Sequence, residues 1–583
     1  MNKHFKFFLI LFSMIISLNS LGQTTKQSDN YIRFMSYDLN DFSHSPSIKN
    51  CEELGSLIRK ERADFVALQN LVCSESSSDF SGNVLKQIAL ESKLFPVFEP
   101  AQDSQTLGIL STEKPIKTRL VQLPGEGKTN AMMIAEYKRL VFVSINFSVS
   151  DQEKAQGLPI ILEELKSFDK PFVLAGNWNS KKQQDIALYC SEKDSFVKRF
   201  EKSIKVPFSA QKPLSVGVQF LVPEDEMFAY PPYLQNPKND AMTIMAQTSC
   251  IAECWVEYGL DTLNLQKNRT YYAGQVVCHD IEHKFHLDGL KEGHTYYYRV
   301  CAREIVESQA YHKTFGKTGK TPWRKFTLPR KNSNEFTAII VNDLHDAKST
   351  IDILSKLASD IRYDFVICNG DCLPEPTNRN HAMRMISTLN KAFNGEEHPM
   401  FFIRGNHEIR NAYSSGMSSL IENPGGKEYG AFNWGDTRFV FLDCGEDKPD
   451  DFWVYYGLND FDGFRKEQID FLSQEIRTKD FKKSKMRILI NHIPIWGNSG
   501  DYQPCTKLWA NVLSKASFDI NFAAHMHRMK YYKKGEISNP FPVLVGGGPQ
   551  YEHARLIVLE KKSDKLFVKV LNTKGQTVLS LEF

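Results

Sequence analysis

The chain has 583 residues, too many for one hydrophobic core, and at about 150 residues per domain the length predicts three or four domains. Its 42% hydrophobic and 24% charged residues are typical of a globular protein. The net charge of +3 leaves no strongly basic domain or stripe, so the sequence has no strong nucleic-acid signature.

Residues 1–22 have the pattern of a signal peptide. Lys3 and Lys6 precede an apolar run at 7–18, and cleavage is expected after Gly22. The run is well short of the roughly 20 residues that span a bilayer, and no other stretch is apolar enough to be a transmembrane segment. We therefore expect an exported protein, in the periplasm or outside the cell.

Residues 31–224 alternate strand and helix patterns. Apolar runs at 63–71, 140–149 and 171–176 are typical of buried strands, and 151–168 has apolar residues at helical spacing. These patterns predict an α/β four-layer sandwich.

The order of motifs in this first block resembles the endonuclease/exonuclease/phosphatase family, but its ionisable residues are mostly replaced. Asp38 stands where the family has an Asn ligand, and Gln69 stands where it has the metal-binding Glu. Asn146 or Phe147 stands at the position of the catalytic His. In the Gly-Asp-x-Asn loop, Asn177 replaces the acid and Asn179 is retained. An amide is not a general base and binds Mg²⁺ more weakly than a carboxylate. We interpret the block as a pseudoenzyme domain, either a retained ligand-binding cleft or a packing and positioning element.

Residues 225–330 contain short alternating segments, such as 242–248, 254–259 and 295–303, separated by turns. This spacing predicts an all-β sandwich. The stretch at 287–300 resembles the turn and strand of a fibronectin type III domain, in which a tyrosine anchors the corner. A similar module precedes the catalytic domain of purple acid phosphatases.

Eleven cysteines make disulfides possible in an exported chain, and the odd number leaves at least one thiol unpaired. Four of them, Cys250, Cys254, Cys278 and Cys301, lie in the middle block and allow three pairings. The sequence does not choose among these pairings, and free buried cysteines are the alternative.

Residues 336–583 again alternate strands and helices, which predicts an α/β sandwich. Five of the apolar runs end in Asp, Asn or His: these are Asp343 and His345, Asp371, Asn406 and His407, His492, and His525 with His527. Open α/β sheets bind ligands at the carboxyl ends of their strands, so we expect these side chains to converge. In an extended segment, residues two apart point to one face, which would aim each Asp-x-His or His-x-His pair at the same place.

Oxygen and imidazole ligands suit Mn, Fe, Zn or Co, and the lack of thiolates argues against a closed structural zinc site. Two metals about 3.5–4 Å apart need a bridging group. Asp371 is the candidate, because its carboxylate has two oxygens. Gly370 and Gly405 are expected to let the backbone turn sharply beneath the metals.

The motifs DLH at 343, GD at 370, GNHE at 405, NH at 491 and AHMH at 524 together resemble the calcineurin-like metallophosphoesterase family. The resemblance implies two divalent or trivalent metal ions, Fe, Mn or Zn. One would be held by Asp343, His345, Asp371 and His527, and the other by Asp371, Asn406, His492 and His525. A hydroxide between the metals would attack phosphorus in line, and His407 would assist the leaving oxygen or bind phosphate. Glu408 would orient His407 from outside the ligand set.

Two residues depart from the family pattern, and a third could be mistaken for a metal ligand. Ala524 replaces a glycine. Pro374 stands where purple acid phosphatases have a tyrosine ligand, so no iron-tyrosinate colour is expected. Cys372, beside the bridging Asp, is interpreted as a buried or loop cysteine and not as a thiolate ligand.

The sequence therefore predicts an exported dimetal phosphoesterase acting on a phosphorylated substrate, with a monoester favoured. A phosphodiesterase at the same site is the first alternative, and a non-catalytic surface binding protein is the second. No arginine cluster identifies the ester, although Arg404, Arg410, His381 and Trp496 lie in or near the predicted loops. Metal identity, disulfide pairing and oligomeric state are left open.

Overall fold

A computed structural model describes residues 31–40, 48–71, 84–97, 107–124, 130–147, 151–168, 170–178, 185–189, 196–206 and 212–583. The chain divides into two compact units, Met1–Leu221 and Val222–Phe583. The expected signal peptide lies outside the described residues. Within the described part of the chain, no helix is long and apolar enough to cross a membrane.

The described residues of the first unit form two sheets and three helices. Its strands are β1 (Ile32–Asp38), β2 (Phe65–Gln69), β3 (Phe95–Val97), β4 (Leu107–Ser111), β5 (Lys117–Gln122), β6 (Ala131–Glu136), β7 (Val141–Asn146), β8 (Phe172–Asn177), β9 (Asp185–Tyr189), β10 (Phe196–Ser203) and β11 (Leu214–Phe220). Its helices are α1 (Ile48–Lys60), α2 (Val84–Ser92) and α3 (Asp151–Lys166). The strand orders are β10-β11-β1-β2-β4-β3 and β5-β6-β7-β8-β9.

The main core of the first unit lies between its two sheets. Phe34 and Phe65 of the six-stranded sheet pack with Phe142 of the five-stranded sheet. Helices α1 and α2 cover the outer face of the first sheet, and α3 covers that of the second. Both faces of β2 and β7 are therefore buried, which explains their unbroken apolar runs. The strands and the helix predicted for this block are confirmed.

The β-rich part of the second unit follows. Its strands are β12 (Phe228–Gln235), β13 (Met242–Thr248), β14 (Ala252–Gly259), β15 (Gln266–Asn268), β16 (Tyr271–Tyr272), β17 (Gln275–Val276), β18 (Glu282–Leu287), β19 (Thr295–Ser308), β20 (Lys313–Lys320) and β21 (Arg324–Thr327). The sheets run β12-β13-β18 and β15-β14-β19-β20, with β21 on β19 and a β16–β17 hairpin. The two larger sheets share one apolar core.

Tyrosine hydroxyl groups form hydrogen bonds within this β-rich part and between it and the rest of its unit. The Tyr296 hydroxyl accepts the Lys291 N–H at 2.9 Å, tying the turn to β19, as the fibronectin-like pattern predicts. The hydroxyl groups of Tyr298 and Tyr233 donate to the carbonyls of Glu396 and Leu420, both at 2.6 Å. The β-rich part and the C-terminal part thus form one compact unit.

The C-terminal part holds two six-stranded sheets. Its strands are β22 (Glu335–Val341), β23 (Phe365–Asn369), β24 (Met400–Ile403), β25 (Gly430–Trp434), β26 (Thr437–Leu442), β27 (Met486–Asn491), β28 (Ile520–Ala523), β29 (Lys530–Tyr532), β30 (Val543–Val545), β31 (Arg555–Lys562), β32 (Lys565–Asn572) and β33 (Thr577–Glu582). Its helices are α4 (Lys348–Ser359), α5 (Arg379–Ala392), α6 (Phe461–Glu475), α7 (Lys479–Lys483) and α8 (Pro504–Leu513).

These two sheets pack face to face over aromatic residues. In one stack the ring centroids of Phe401 and Phe432 are 4.0 Å apart and those of Phe432 and Phe439 are 4.8 Å apart. Helices α4 and α5 cover the outer face of the sheet β24-β23-β22-β31-β32-β33. Helices α6 and α8 cover the outer face of the sheet β25-β26-β27-β28-β30-β29. The predicted multidomain chain of mixed α/β and β-rich parts is confirmed.

Parallel pairing brings the predicted strand ends together. Strands β22, β23 and β24 are parallel neighbours in one sheet, and β27 and β28 are parallel neighbours in the other. Each of the five ends one to three residues before a predicted ligand. The fold therefore positions all five polar strand ends as the sequence predicts.

All nine cysteines within the described residues are free thiols, including Cys250, Cys254, Cys278 and Cys301. None of the three pairings open to these four is formed in this structure.

Candidate metal centre

Two groups of acidic and imidazole side chains meet at the strand ends of the C-terminal part. The first contains Asp343, His345, Asp371 and His527, and the second contains Asp371, His492 and His525. Within each group the potential ligand atoms all lie within 4.8 Å of one another. The structure thus brings together every acid and histidine that the sequence predicts as a ligand.

Asp371 is the residue shared by both groups. Its Oδ2 lies 3.6 Å from His345 Nε2 in the first group and 3.2 Å from His492 Nε2 in the second. Its Oδ1 instead accepts the backbone N–H of His407 at 2.9 Å. Oδ2 is therefore the oxygen that lies near both groups, and the bridging role of Asp371 stays a prediction.

The predicted amide ligand joins the second group. Asn406 is buried, and its Oδ1 lies 2.9 Å from His525 Nδ1. The other ring nitrogen of His525, Nε2, lies 4.0 Å from Asp447 Oδ2. This separation is longer than a hydrogen bond, so Asp447 is an acid near His525 and not a hydrogen-bond partner of its ring.

The backbone at these ligands is unusual. Positive φ angles occur at Asp343 (49°), His345 (46°), Asp371 (52°), His525 (69°) and His527 (54°). Such angles cost a residue other than glycine on the order of 1–3 kcal/mol and cluster at functional sites. The expectation that the two pairs lie in extended segments is wrong, because the chain curls in a left-handed turn directly after each strand and this turn aims the side chains inward.

Two glycines allow the close approach of these loops. Gly370 has a φ of +78°, and a Cβ there would lie 2.1 Å from His492 Nδ1. A Cβ at Gly405 would lie 2.3 Å from Asp371 Oδ1. The sharp turn predicted for Gly370 is confirmed, whereas what Gly405 provides is room for the shared carboxylate.

The donor set fits metal ions. Asp343 Oδ1 and His492 Nε2 are buried and lack a hydrogen bond of good geometry, although His527 Nε2 and Asp371 Oδ2 lie 3.3 Å and 3.2 Å from them. Buried polar atoms are normally paired, and both atoms face the groups defined above. His492 donates its Nδ1–H to the Asn369 carbonyl at 2.9 Å, which leaves Nε2 as the ligand atom.

The charges of the site favour a bound cation. Burial opposes ionisation of Asp371, but the neighbouring His492 and the His407 N–H hold its pKa well below the ordinary value. Burial likewise lowers the pKa of His492, but Asp371 and Asp343 raise it to about 10. The two carboxylates thus hold a proton on His492, which metal binding would release.

Glu408 supports the loop of the shared carboxylate. It is fully buried, and its two oxygens accept four backbone N–H groups at 2.8–2.9 Å, those of Asp371, Cys372, Leu373 and Gly405. Burial and the adjacent Asp371 raise its pKa to about 7. The expectation that Glu408 orients His407 is wrong, because its carboxylate points into these loops.

The carboxylate that contacts His407 belongs to Glu375 and not to Glu408. Its Oε1 lies 3.2 Å from His407 Nδ1, and on the other side of the ring Arg410 Nη1 lies 3.1 Å from His407 Nε2. Arg410 is in turn held by the buried Glu446 at 2.8 Å. Sequence reasoning missed Glu375 and Glu446, and the only available signal was that Glu375 follows Asp371 by four residues in one loop.

The structure accommodates two of the residues singled out beside the family pattern, Ala524 and Cys372. Ala524 is buried, and its N–H donates to the His492 carbonyl at 2.8 Å. The Cys372 thiol lies 3.3 Å from the Gly370 carbonyl, and burial raises its pKa well above the ordinary value. A neutral thiol turned toward the backbone is not a thiolate ligand.

At the corresponding strand ends of the first unit, amides form a hydrogen-bond network. Asp38 accepts from Asn70 Nδ2 at 2.6 Å and from Asn177 Nδ2 at 2.7 Å. Asn146 donates to Asn70 Oδ1 at 2.8 Å. The network joins β1 and β2 of one sheet to β7 and β8 of the other.

Two other positions of the degenerate pattern can also be placed, Gln69 and Phe147. Gln69 is buried between Ser36 and Ser144, 3.3 Å from each hydroxyl. Phe147 packs in the core with α3 and not in the network. Asn179 lies outside the described residues. The interpretation as a pseudoenzyme remains a prediction.

Comparison with known proteins finds a family match in the C-terminal part. Residues 336–529 match the family model of the calcineurin-like phosphoesterases. No curated protein matches the chain significantly.

Three solved structures are similar at low identity. A purple acid phosphatase from yellow lupin, Lupinus luteus, is 16% identical, covering 60% of this chain and 73% of its own, with a TM-score of 0.46. PhoD is 12% identical, covering 61% and 93%, with a TM-score of 0.43. An endonuclease/exonuclease/phosphatase from Beutenbergia cavernae is 12% identical, covering 51% and 100%, with a TM-score of 0.26.

The Glu408 contacts predict a selective loss of metal binding. Glu408→Gln replaces one acceptor oxygen by an amide N–H₂ that faces backbone donors, so we expect a loss of roughly 1–3 kcal/mol of local stability. Metal affinity should fall about 10- to 100-fold, the usual effect of removing a supporting contact, as measured by calorimetric titration. Unchanged affinity in a folded variant would contradict the assigned contacts.

The amide network predicts a purely structural role for Asp38. Asp38→Ala leaves two partly buried amides without this acceptor, so the unfolding transition of the first unit should lose roughly 1–3 kcal/mol. Thermal unfolding with and without Mg²⁺ measures this effect, and Mg²⁺ should not shift the wild-type transition. A Mg²⁺ stabilisation that disappears in Asp38→Ala would show instead that the cleft still binds metal.

Proposed function

We propose that the calcineurin-like phosphoesterase domain at residues 336–529 makes this chain an exported phosphomonoesterase that uses two metal ions. The family match supports a metal-dependent phosphoester hydrolase. One geometric observation carries the proposal: Asp371 is common to two adjacent groups of acidic and imidazole side chains. Export rests on the N-terminal pattern at residues 1–22.

The domain boundaries and layers are proposed from the sequence patterns together with the sheets. A degenerate α/β four-layer domain at 31–224 would be followed by a β-sandwich at 225–330 and the catalytic α/β domain at 336–583. The first serves as a packing element, because amides occupy its predicted catalytic positions.

Seven residues would hold the metals, with assignments carried over from the family pattern. One ion would be bound by Asp343, His345, Asp371 and His527, and the other by Asp371, Asn406, His492 and His525. Metal ions at such a site lower the pKa of bound water and neutralise charge on phosphoryl oxygens. Fe, Mn and Zn all suit this donor set.

His407 and Arg410 supply the groups that meet the phosphoester. Both side chains are partly exposed beside the ligand groups, and their nitrogens lie 3.1 Å apart. Arg410 can donate to phosphoryl oxygens while Glu446 holds its guanidinium in place. A monoester offers more negatively charged oxygen to these donors than a diester, which favours the monoester.

Glu375 orients His407, because its Oε1 lies 3.2 Å from His407 Nδ1. The other ring nitrogen, Nε2, lies beside Arg410 Nη1 and would meet the substrate. His407 would assist the leaving oxygen or bind phosphate from this position.

The activity is tested on the full mature chain with p-nitrophenyl phosphate and bis(p-nitrophenyl) phosphate, with added Mn, Zn or Fe. We expect the monoester to react faster, and Asp371→Asn to lose roughly 100-fold or more of kcat/KM, because one lost ligand disturbs both groups. Asp38→Asn in the first unit is the matched control and should remain active.

The outcomes separate the alternatives. Equal activity in wild type and Asp371→Asn would exclude the dimetal site as the source of hydrolysis. Faster diester hydrolysis would replace the monoesterase by a phosphodiesterase. A folded, metal-loaded chain that hydrolyses neither ester would support the binding-protein alternative.

A further inference from the structure

A loop at residues 446–460 is anchored at the catalytic cleft; we call it the rim loop. It joins β26 to α6. At its base the buried Glu446 accepts from Arg410 Nε at 2.8 Å, and Arg410 in turn contacts His407. The Tyr455 hydroxyl donates to the same Glu446 carboxylate. The turn that carries Tyr455 is therefore linked to His407 through two side chains.

The rim loop is ordered by its own backbone hydrogen bonds. The N–H of Phe452 donates to the Pro449 carbonyl at 3.0 Å, that of Tyr455 to Phe452 at 3.0 Å, and that of Leu458 to Tyr455 at 2.9 Å. Next to Glu446, Asp447 lies 4.0 Å from His525. The loop thus holds its side chains at defined positions beside the cleft.

The tip of the rim loop exposes large apolar side chains. Trp453, Tyr456 and Leu458 are 72%, 81% and 85% exposed. None of these three side chains belongs to the hydrophobic core of the domain, so core packing does not explain why they are large and apolar. Clustered exposed aromatic residues at a cleft are typical of a binding surface.

The loop after β30 carries another exposed aromatic side chain. This loop passes directly against His527, since a Cβ at Gly548 would lie 2.6 Å from His527 Cβ. Tyr551 in the same loop is 47% exposed. A loop that contacts the ligand groups therefore carries an exposed aromatic residue in addition to those of the rim loop.

The charge of the rim loop restricts what binds there. Residues 446–460 contain five acids and one lysine. Asp450 and Asp460 accept backbone N–H groups at the start of α6, and Glu446 and Asp447 pair with Arg410 and Lys448. These groups together keep a net negative charge, which repels anionic groups, so a polyphosphate, a nucleic acid or an anionic lipid surface does not fit the loop.

From these observations we infer that the rim loop binds the alcohol portion of the substrate, and that this portion is aromatic or otherwise apolar and carries no negative charge. The inference rests on the proposed phosphomonoesterase function and defines its substrate class. Trp453 and Tyr456 contact the organic group while the phosphate lies at the ligand groups. The loop thereby selects among monoesters by their alcohol.

Two alkyl phosphates with similar leaving groups test this selection. We compare 2-phenylethyl phosphate with 2-hydroxyethyl phosphate by kcat/KM, in the full chain and in the double variant Trp453→Ala/Tyr456→Ala. The wild type should prefer the phenylethyl ester. The double variant should lose about tenfold of this preference, because each aromatic contact is worth roughly two- to tenfold.

A matched control carries Tyr271→Ala/Tyr272→Ala in the β16–β17 hairpin, where both tyrosines are also exposed. Its preference should equal that of wild type. An unchanged preference in the rim-loop variant would overturn the inference. Unchanged preference together with tip-dependent sedimentation on phosphatidylcholine vesicles would assign the loop to a membrane surface instead.

Binding measurements separate this inference from the proposed activity. If the wild type hydrolyses neither ester, the proposed function fails, and calorimetry with 2-phenylethylphosphonate and 2-hydroxyethylphosphonate then decides. Tighter binding of the phenylethyl compound that is lost in the rim-loop variant supports the inference. Equal binding of the two compounds overturns it.

Discussion

The candidate site depends on the position of one buried carboxylate. Asp371 Oδ2 faces both ligand groups, while Oδ1 is held by the His407 N–H. This position requires a left-handed turn after β23, and Glu408 stabilises that turn by accepting four backbone N–H groups. The buried glutamate thus compensates for backbone strain at the site. Removing its charge would release the loop that positions the shared ligand.

Much of the fold and of the ligand set follows from the sequence. Buried parallel strands have continuous apolar runs, and a polar residue directly after such a run lies at the carboxyl edge of the sheet, which is why Asp343, Asp371 and His492 could be placed. The left-handed turns could not be predicted, because nothing in the local sequence marks Asp343 or His525 for a positive φ. The Glu375–His407 contact was missed for a related reason: it joins two loops whose approach depends on these turns.

The two units differ in the polar groups at their strand ends: acids and imidazoles in the C-terminal part, and mainly amides in the first unit. In the C-terminal part, acids and imidazoles face one another, with His492 Nε2 3.2 Å from Asp371 Oδ2 and His527 Nε2 3.3 Å from Asp343 Oδ1, an arrangement that suits a bound cation. In the first unit, Asn70 and Asn177 donate to both oxygens of Asp38. The pseudoenzyme interpretation therefore predicts that this cleft binds no metal.

The central claim is that Asp371 is shared by two metal ions, and metal analysis of the full mature chain tests it most directly. Mass spectrometry of the protein after loading with Mn, Zn or Fe and removal of free metal should give two ions per chain. Asp371→Asn, verified as folded, should retain at most one. Two ions in both proteins, or no more than one in wild type with every metal, would contradict the shared carboxylate.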